Sequence, residues 1–153
     1  MQSRGVAATI KHFAANSTEF ARLKSDSRVS ARALREIYMR AFERVVKDAD
    51  PWSIMTSYNY INGVKVPEDA RICEDVIRGD FGYRGMLMTD FGNDSAHAKE
   101  LAAGHDLKMP FGDVNAVTAA LADGTLSREK VRECAARVLE LVARTAGKRM
   151  ELD

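Results

Sequence analysis

The sequence predicts an α/β protein built on a parallel sheet, and three observations lead there. Short apolar segments alternate with stretches of helical periodicity, in the order β-α-β-α-β-α-β-α-α. The apolar segments are nearly continuous rather than alternating, as expected of strands covered on both faces. Each stops abruptly on polar residues. Strands that alternate with helices run parallel and are joined by crossovers. Four such units fall short of the eight, in at least about 200 residues, that close a (β/α)8 barrel. The pattern permits a small doubly wound sheet or half of a barrel.

The first strand is expected over residues 6–12, where Val6–Ile10 runs into Lys11-His12-Phe13. A polar loop follows from Asn16 to Arg28. Ser30 is a good helix N-cap, and Leu34, Ile37, Tyr38, Ala41, Val45 and Ala49 repeat at helical spacing until Pro51. Trp52–Tyr58 reads as the second strand, closed by the turn-rich Asn59–Gly63. Pro67 suits the start of a helix carrying Ile72, Cys73, Val76 and Ile77, which Gly79 and Gly82 end. Met86-Leu87-Met88 is the third strand. Ser95–Ala103 is a short helix, and His105–Met109 is the fourth strand, stopped by Pro110. Val114–Ala122 is helical. Ser127 caps a last helix with Val131, Cys134, Ala135, Val138 and Val142 on one face.

The bulk composition narrows the function. The chain has 153 residues, 46% apolar and 29% charged, which fits a single soluble globular domain. Its 23 basic and 22 acidic residues are well mixed and leave a net charge of +1. Such a balance supplies no field for nucleic acid or an anionic membrane, and neither is an expected partner. No apolar run approaches the roughly 20 residues that span a bilayer. No apolar h-region follows Met1–Gly5, so nothing there reads as a signal peptide, and a cytoplasmic location is the expectation. Cys73 and Cys134 fall within helical patterns and read as small core residues, not as a disulfide. No spaced His/Cys/Asp cluster reads as a metal site, and no cofactor is expected.

In parallel α/β proteins the working groups stand at the carboxyl ends of the strands. Here those ends are Lys11-His12, Ser57-Tyr58-Asn59, Thr89-Asp90 and Asp106-Lys108. In register they would make a polar pocket with a carboxylate, cations, hydroxyls and an amide. That inventory suits a sugar, whose hydroxyls take charge-assisted hydrogen bonds and whose C–H face rests on an aromatic ring. An ionised carboxylate beneath the ring can attack the anomeric carbon or stabilise the charge that develops there. A plainer role for Asp90 is that of a turn or N-cap residue after a strand. Asn16, Glu19 and Arg22 read as an ion-paired loop, Asp94 and Asp106 as caps of backbone, and His97 and His105 as structural.

These segments carry a resemblance to glycoside hydrolase family 3, the β-glucosidase family. "KHFAANSTE" resembles its Lys-His-Phe strand end, "RVSARALREIYMRAFE" its signature helix, and "IMTSYNYING" its Ser-Tyr-Asn strand and turn. "MTDFG" is similar to its nucleophile segment, and "AGHDLKMP" to the strand that follows. The resemblance implies four to five parallel βα units forming half of a TIM-type (β/α)8 barrel, so that residues 1–153 are one partial catalytic domain. It implies Asp90 as nucleophile of a retaining exo-acting β-glycosidase, with Lys11 and His12 on sugar hydroxyls and Tyr58 beside the nucleophile. Phe91 stands where the family usually has tryptophan, offering a smaller stacking face and no indole N–H. Lys108 stands at a usually acidic position.

The same resemblance leaves parts unaccounted for. The other barrel half would bring an Asp and an Arg that grip distal hydroxyls, and the general acid/base belongs to a separate sandwich domain. In the β-N-acetylhexosaminidase branch a Gly-His loop supplies that group, and Ala14-Ala15-Asn16 takes its place here. Expected partners are therefore a β-linked oligosaccharide or glycoside, together with the missing barrel half and sandwich domain or a second copy of the chain. β-Xylosidase or α-arabinofuranosidase activity, or a non-catalytic half-barrel, are the alternatives.

Overall fold

A computed structural model describes residues 1–146 of the chain. After a short 3-10 turn, the principal sheet comprises β1 (Thr9–Phe13), β3 (Ser53–Thr56) and β6 (Met86–Thr89), parallel and in the order β1-β3-β6. Neighbours in space are thus consecutive βα units, as crossovers between sequential parallel strands produce. Ser53–Thr56 pairs residue for residue with Met86–Thr89. The β1–β3 ladder matches Thr9 with Ser53 and Ile10 with Ile54, then Phe13 with Thr56, so one extra residue is accommodated around Lys11 and His12. A bulge of this kind re-aims the side chains it carries. The Lys11–His12 and Phe13–Ala14 peptides are cis.

The fourth strand is reduced to a single parallel bridge between Met88 and Leu107. The ladder fails beyond it because the Met109 N–H donates to the Thr89 hydroxyl at 2.8 Å rather than to a main-chain carbonyl. The expected place of this segment beside the third strand holds; its expected length does not.

A second small sheet lies among the loops: β2 (Asp26–Ser27), β4 (Tyr60–Ile61) and β5 (Val64–Lys65), in the order β2-β4-β5. β4 and β5 form a hairpin around Asn62-Gly63, both at positive φ (51° and 91°). Asn-Gly is the dipeptide that a two-residue hairpin turn demands.

The helices explain themselves through their caps and their stripes. Ser30 Oγ accepts from Ala33 N, Asp113 Oδ1 from Ala116 N and Ser127 Oγ from Lys130 N, each opening a helix: α1 (Ala31–Ala33), α4 (Val114–Ala122) and α5 (Arg128–Thr145). Between α1 and α2 (Arg40–Ala49), residues Leu34–Tyr38 make a π turn in which Met39 N donates to Leu34 O. That one wider turn shifts the buried stripe by a residue. Met39 and Val46 are buried, with Leu34 and Phe42 packed against the core, whereas Ile37, Tyr38 and Val45 of the expected stripe are exposed. On α5 Cys134 is buried, while Val142 is 55% exposed and does not belong to the packed face. The π-helix Arg71–Asp80 buries Ile72, Cys73, Val76 and Ile77, the residues expected there, together with Arg78. Both cysteines are free and buried.

Two apolar clusters result. The larger joins the sheet to the first two helical layers through residues such as Phe13, Ile54, Ile77 and Leu87. The smaller gathers Leu101 of α3 (His97–Ala102), Ala120, Leu126 and Cys134. Between them lies a polar seam. Asp106, its side chain fully buried, accepts from Arg78 (2.7 Å), Arg137 (2.7 Å) and Leu87 N (2.8 Å). Glu74 reaches Lys130 at 2.9 Å. Replacing Asp106 by Ala strands two guanidinium groups, one of them buried, and we expect a loss of about 3–5 kcal/mol, read as a fall in the urea midpoint.

His105, also fully buried, meets Thr56 Oγ1 through Nε2 at 2.9 Å, and its Nδ1 has no partner. Burial, reinforced by Arg78 and Lys108, lowers its pKa to about 3. The folded protein keeps this ring neutral while the unfolded chain protonates it near pH 6.5. The associated stability is therefore present above pH 6.5 and drains as pH falls toward about 3. Urea unfolding between about pH 6.5 and pH 5 should show a slope approaching 1.4 kcal/mol per pH unit from this residue, and His105→Asn should flatten it.

Candidate functional site

The register of the sheet builds the site. Thr56 pairs with Phe13 on one side and Thr89 on the other, so the three strands finish at one level. The residues that follow or flank that row, His12, Ser57-Tyr58-Asn59 and Asp90, emerge together at the carboxyl edge.

Ser57 and Asn59 are buried and hold backbone. Ser57 Oγ donates to Ala14 O at 3.0 Å, and Asn59 Nδ2 donates to Ala14 O, Ala15 O and Tyr60 O. They anchor the end of β1, which leaves Tyr58 between them to face the loop after β6. Its hydroxyl donates to Phe91 O at 2.5 Å. Burial, then the adjacent Asp90 carboxylate, raises the Tyr58 pKa above that of a free phenol.

Asp90 has one oxygen committed and one offered. Oδ1 accepts from its neighbour Phe91 N at 2.7 Å, which fixes the carboxylate plane. Oδ2 faces His12 Nε2 at 3.2 Å, and the Asp90 side chain keeps 15% of its surface. The turn-forming role therefore exists, but it occupies only half of the carboxylate. An acid that serves merely as a cap does not also meet a histidine from β1, on the far side of β3.

Of the residues expected from the sequence, His12, Tyr58 and Asp90 are brought together. Phe91 stands beside them, 64% exposed. Lys11 is exposed and forms no ion pair with Asp90 among the described residues. Glu19 and Arg22 pair at 2.9 Å as expected. Arg22 does more than this, because its guanidinium carbon lies 4.6 Å from the centre of the Tyr58 ring. The loop carrying Arg22 has no periodicity, so nothing in the sequence could signal that approach. Asp94 binds Lys65 rather than capping backbone, and Asp106 binds two arginines as well as Leu87 N. Among the described residues no helix is long and apolar enough to cross a membrane, and no trio of His, Cys, Asp or Glu side chains converges to hold a metal.

What the arrangement can do is present one carboxylate oxygen and an imidazole to a polyhydroxylated ligand at the carboxyl end of the sheet. The chain is 43% identical over 147 residues to an exo-α-(1→6)-L-arabinopyranosidase of Bifidobacterium breve, covering 95% of the chain and 19% of that protein. It is 40% identical over 148 residues to β-glucosidase B of Emericella nidulans, covering 94% and 18%. It thus spans about a fifth of the length of these curated relatives. Among solved structures it superposes on β-glucosidase 3B from Thermotoga neapolitana with a TM-score of 0.90 at 38% identity, covering 94% of the chain and 22% of that one. On the Bifidobacterium adolescentis GH3 β-glucosidase the TM-score is 0.91 at 42% identity, covering 99% and 23%. The βα units described above are accordingly those of a TIM-type barrel domain. The family profile described as "Glycosyl hydrolase family 3 N terminal domain" matches residues 1–141, and the chain belongs to that family.

Proposed function

We propose that this chain is the nucleophile-bearing part of a retaining exo-acting β-glycosidase that removes terminal β-D-glucosyl residues. The observation that carries the reading is Asp90: a carboxylate at the carboxyl end of a central strand, with one oxygen fixed by Phe91 N and the other turned to His12. In the proposed reaction Asp90 Oδ2 attacks the anomeric carbon as the aglycone oxygen departs with a proton. Water then cleaves the resulting ester, and two inversions give net retention. His12 and Lys11 would bind sugar hydroxyls. Tyr58, held under Arg22 and tied to Phe91 O, would support the nucleophile's loop and face the ring oxygen. Phe91 would lie against the apolar face of the sugar or its aglycone.

The proton for the leaving group has no assigned donor among these residues. We attribute it, as the family resemblance implies, to a sandwich domain, and the distal hydroxyl contacts to the remaining barrel half. General acid help is worth about 10²–10⁴-fold. The 153-residue chain by itself should therefore show no measurable turnover of cellobiose. With a complementing barrel half and sandwich domain present, a 2-fluoro glucoside with an activated leaving group should label Asp90. Peptide mass spectrometry would find the adduct there, and Asp90→Ala should abolish it. Labelling of a different carboxylate would refute the assignment. Robust cellobiose hydrolysis by the chain alone would mean an in-chain acid, with Glu19 the first to replace.

A second reading concerns the sugar. The relative from Bifidobacterium breve is named for an L-arabinopyranosyl substrate, and the alternative expected from the motifs is β-xylosidase or α-arabinofuranosidase activity. A smaller stacking face at Phe91 is compatible with a pentose. Labelling by a 2-fluoro pentoside in preference to the glucoside, under the same complementation, would select that reading.

A further inference from the structure

Immediately after Asp90 the chain makes a compact loop, Phe91–Ser95, whose geometry is set from within. Asn93 N donates to Asp90 O at 3.2 Å, and Ser95 N donates to Asn93 Oδ1 at 2.9 Å. Both side-chain-bearing residues are buried. As a result two main-chain carbonyls, those of Asn93 and Ser95, point inward to one spot. The ammonium of Lys108 occupies that spot. Its Nζ donates to Asn93 O at 3.1 Å, to Ser95 O at 2.7 Å and to Glu100 Oε1 at 2.8 Å. A lysine ammonium has three N–H groups, and here three oxygens take them.

The surroundings are those of a cation site rather than a surface ion pair. The Lys108 side chain keeps 12% of its surface and that of Glu100 only 1%. Ser95 Oγ donates to Glu100 Oε1, and Glu100 Oε2 is buried without any partner. Two carbonyls and one carboxylate oxygen therefore meet one positive charge, with the second carboxylate oxygen buried and unpartnered, and these are hard oxygen donors of the kind that holds alkali and alkaline-earth ions. The neighbouring charges are Lys65, bound to Asp94, and Glu68, near Lys99 at 3.9 Å. With Lys65 already at the border, a dication would meet repulsion that a monocation meets only in part. The spacing agrees, since nitrogen–oxygen distances of 2.7–3.1 Å exceed the 2.3–2.6 Å that calcium requires. Rings of carbonyl oxygens of this reach are what potassium binds in place of water.

We propose that Lys108 is a tethered cation: its ammonium fills a monovalent-cation site of oxygen donors that holds the loop beside Asp90, and the site accepts free potassium once the ammonium is removed. The proposal does not depend on the identity of the sugar or on catalysis. Removing the ammonium leaves Glu100 as a buried charge without its partner and two buried carbonyls without donors.

The test uses Lys108→Met in the 153-residue chain, with thermal melting in choline chloride and in potassium chloride at equal ionic strength. In choline chloride the variant should melt on the order of 10 °C below the parent. Potassium should raise that Tm in a saturable way, as ligand binding to the folded state alone requires, and leave the parent unchanged. The double variant Lys108→Met/Glu100→Gln, which removes both charges together, should melt above the single variant in choline and ignore potassium. A loss of equal size in both salts, unfolding in both included, overturns the proposal. So does the absence of any loss, which would mean that Lys65 moves into the place, and so does a potassium response that survives in the double variant.

Discussion

Asp106 is the residue on which the rest of the architecture hangs. It sits in the shortened fourth strand segment with its side chain wholly buried, and it reaches in three directions at once. Arg78 brings in the helix after β5, Arg137 brings in the long α5, and Leu87 N brings in the strand that ends on Asp90. Charge-assisted hydrogen bonds of this kind are strong only when every partner is present, because each buried charge is expensive alone. The seam is correspondingly intolerant of sliding. A shift of β6 by one residue would detach Leu87 N from Asp106 and turn the strand's side chains to the opposite face. The depth at which the Asp90 carboxylate meets His12 is thus governed by a carboxylate that lies nowhere in the pocket.

Much of this was readable in the chain because it rests on local rules. Apolar runs bounded by helical periods mark the three paired strands, and Ser30 and Ser127 announce their helices as caps do. His12, Tyr58 and Asp90 could be put together because parallel strands of equal reach deliver their ends to one edge. What escaped was decided elsewhere. The π turn at Leu34–Tyr38 displaces the packed stripe from Tyr38, Ala41 and Val45 to Met39, Phe42 and Val46, and no spacing rule anticipates an extra residue in a turn. The Thr89 hydroxyl ends the fourth ladder early by taking the Met109 N–H, a choice between two acceptors that only the folded geometry makes.

In the site the same division holds. Asp90 was legible as a strand that stops on an acid. Asn62-Gly63 carries a hairpin signal beyond the turn expected there. Arg22 over Tyr58 depends on the path of an aperiodic loop, and the double role of Asp106 depends on two helices meeting it from different sides. Lys11 shows the limit from the other direction. The motif assigns it to the site together with its neighbour His12, yet the ladder irregularity between Ile10 and Phe13 gives adjacent residues different surroundings, and only His12 meets Asp90.

The division into two apolar clusters also bears on motion. The smaller cluster of Leu101, Ala120, Leu126 and Cys134 is joined to the main one across a polar seam rather than by continuous packing. Elements held in this way can open without exposing the larger core, at a free energy below that of global unfolding. Amide protons of α4, which buries little besides Ala120, would then exchange with solvent through a local fluctuation. Those of Ile54 and Leu87 would be released only when the whole sheet comes apart. The scaffold beneath the Asp90 edge would thus remain rigid on timescales over which α4 breathes, with α5 still tied to Asp106 through Arg137.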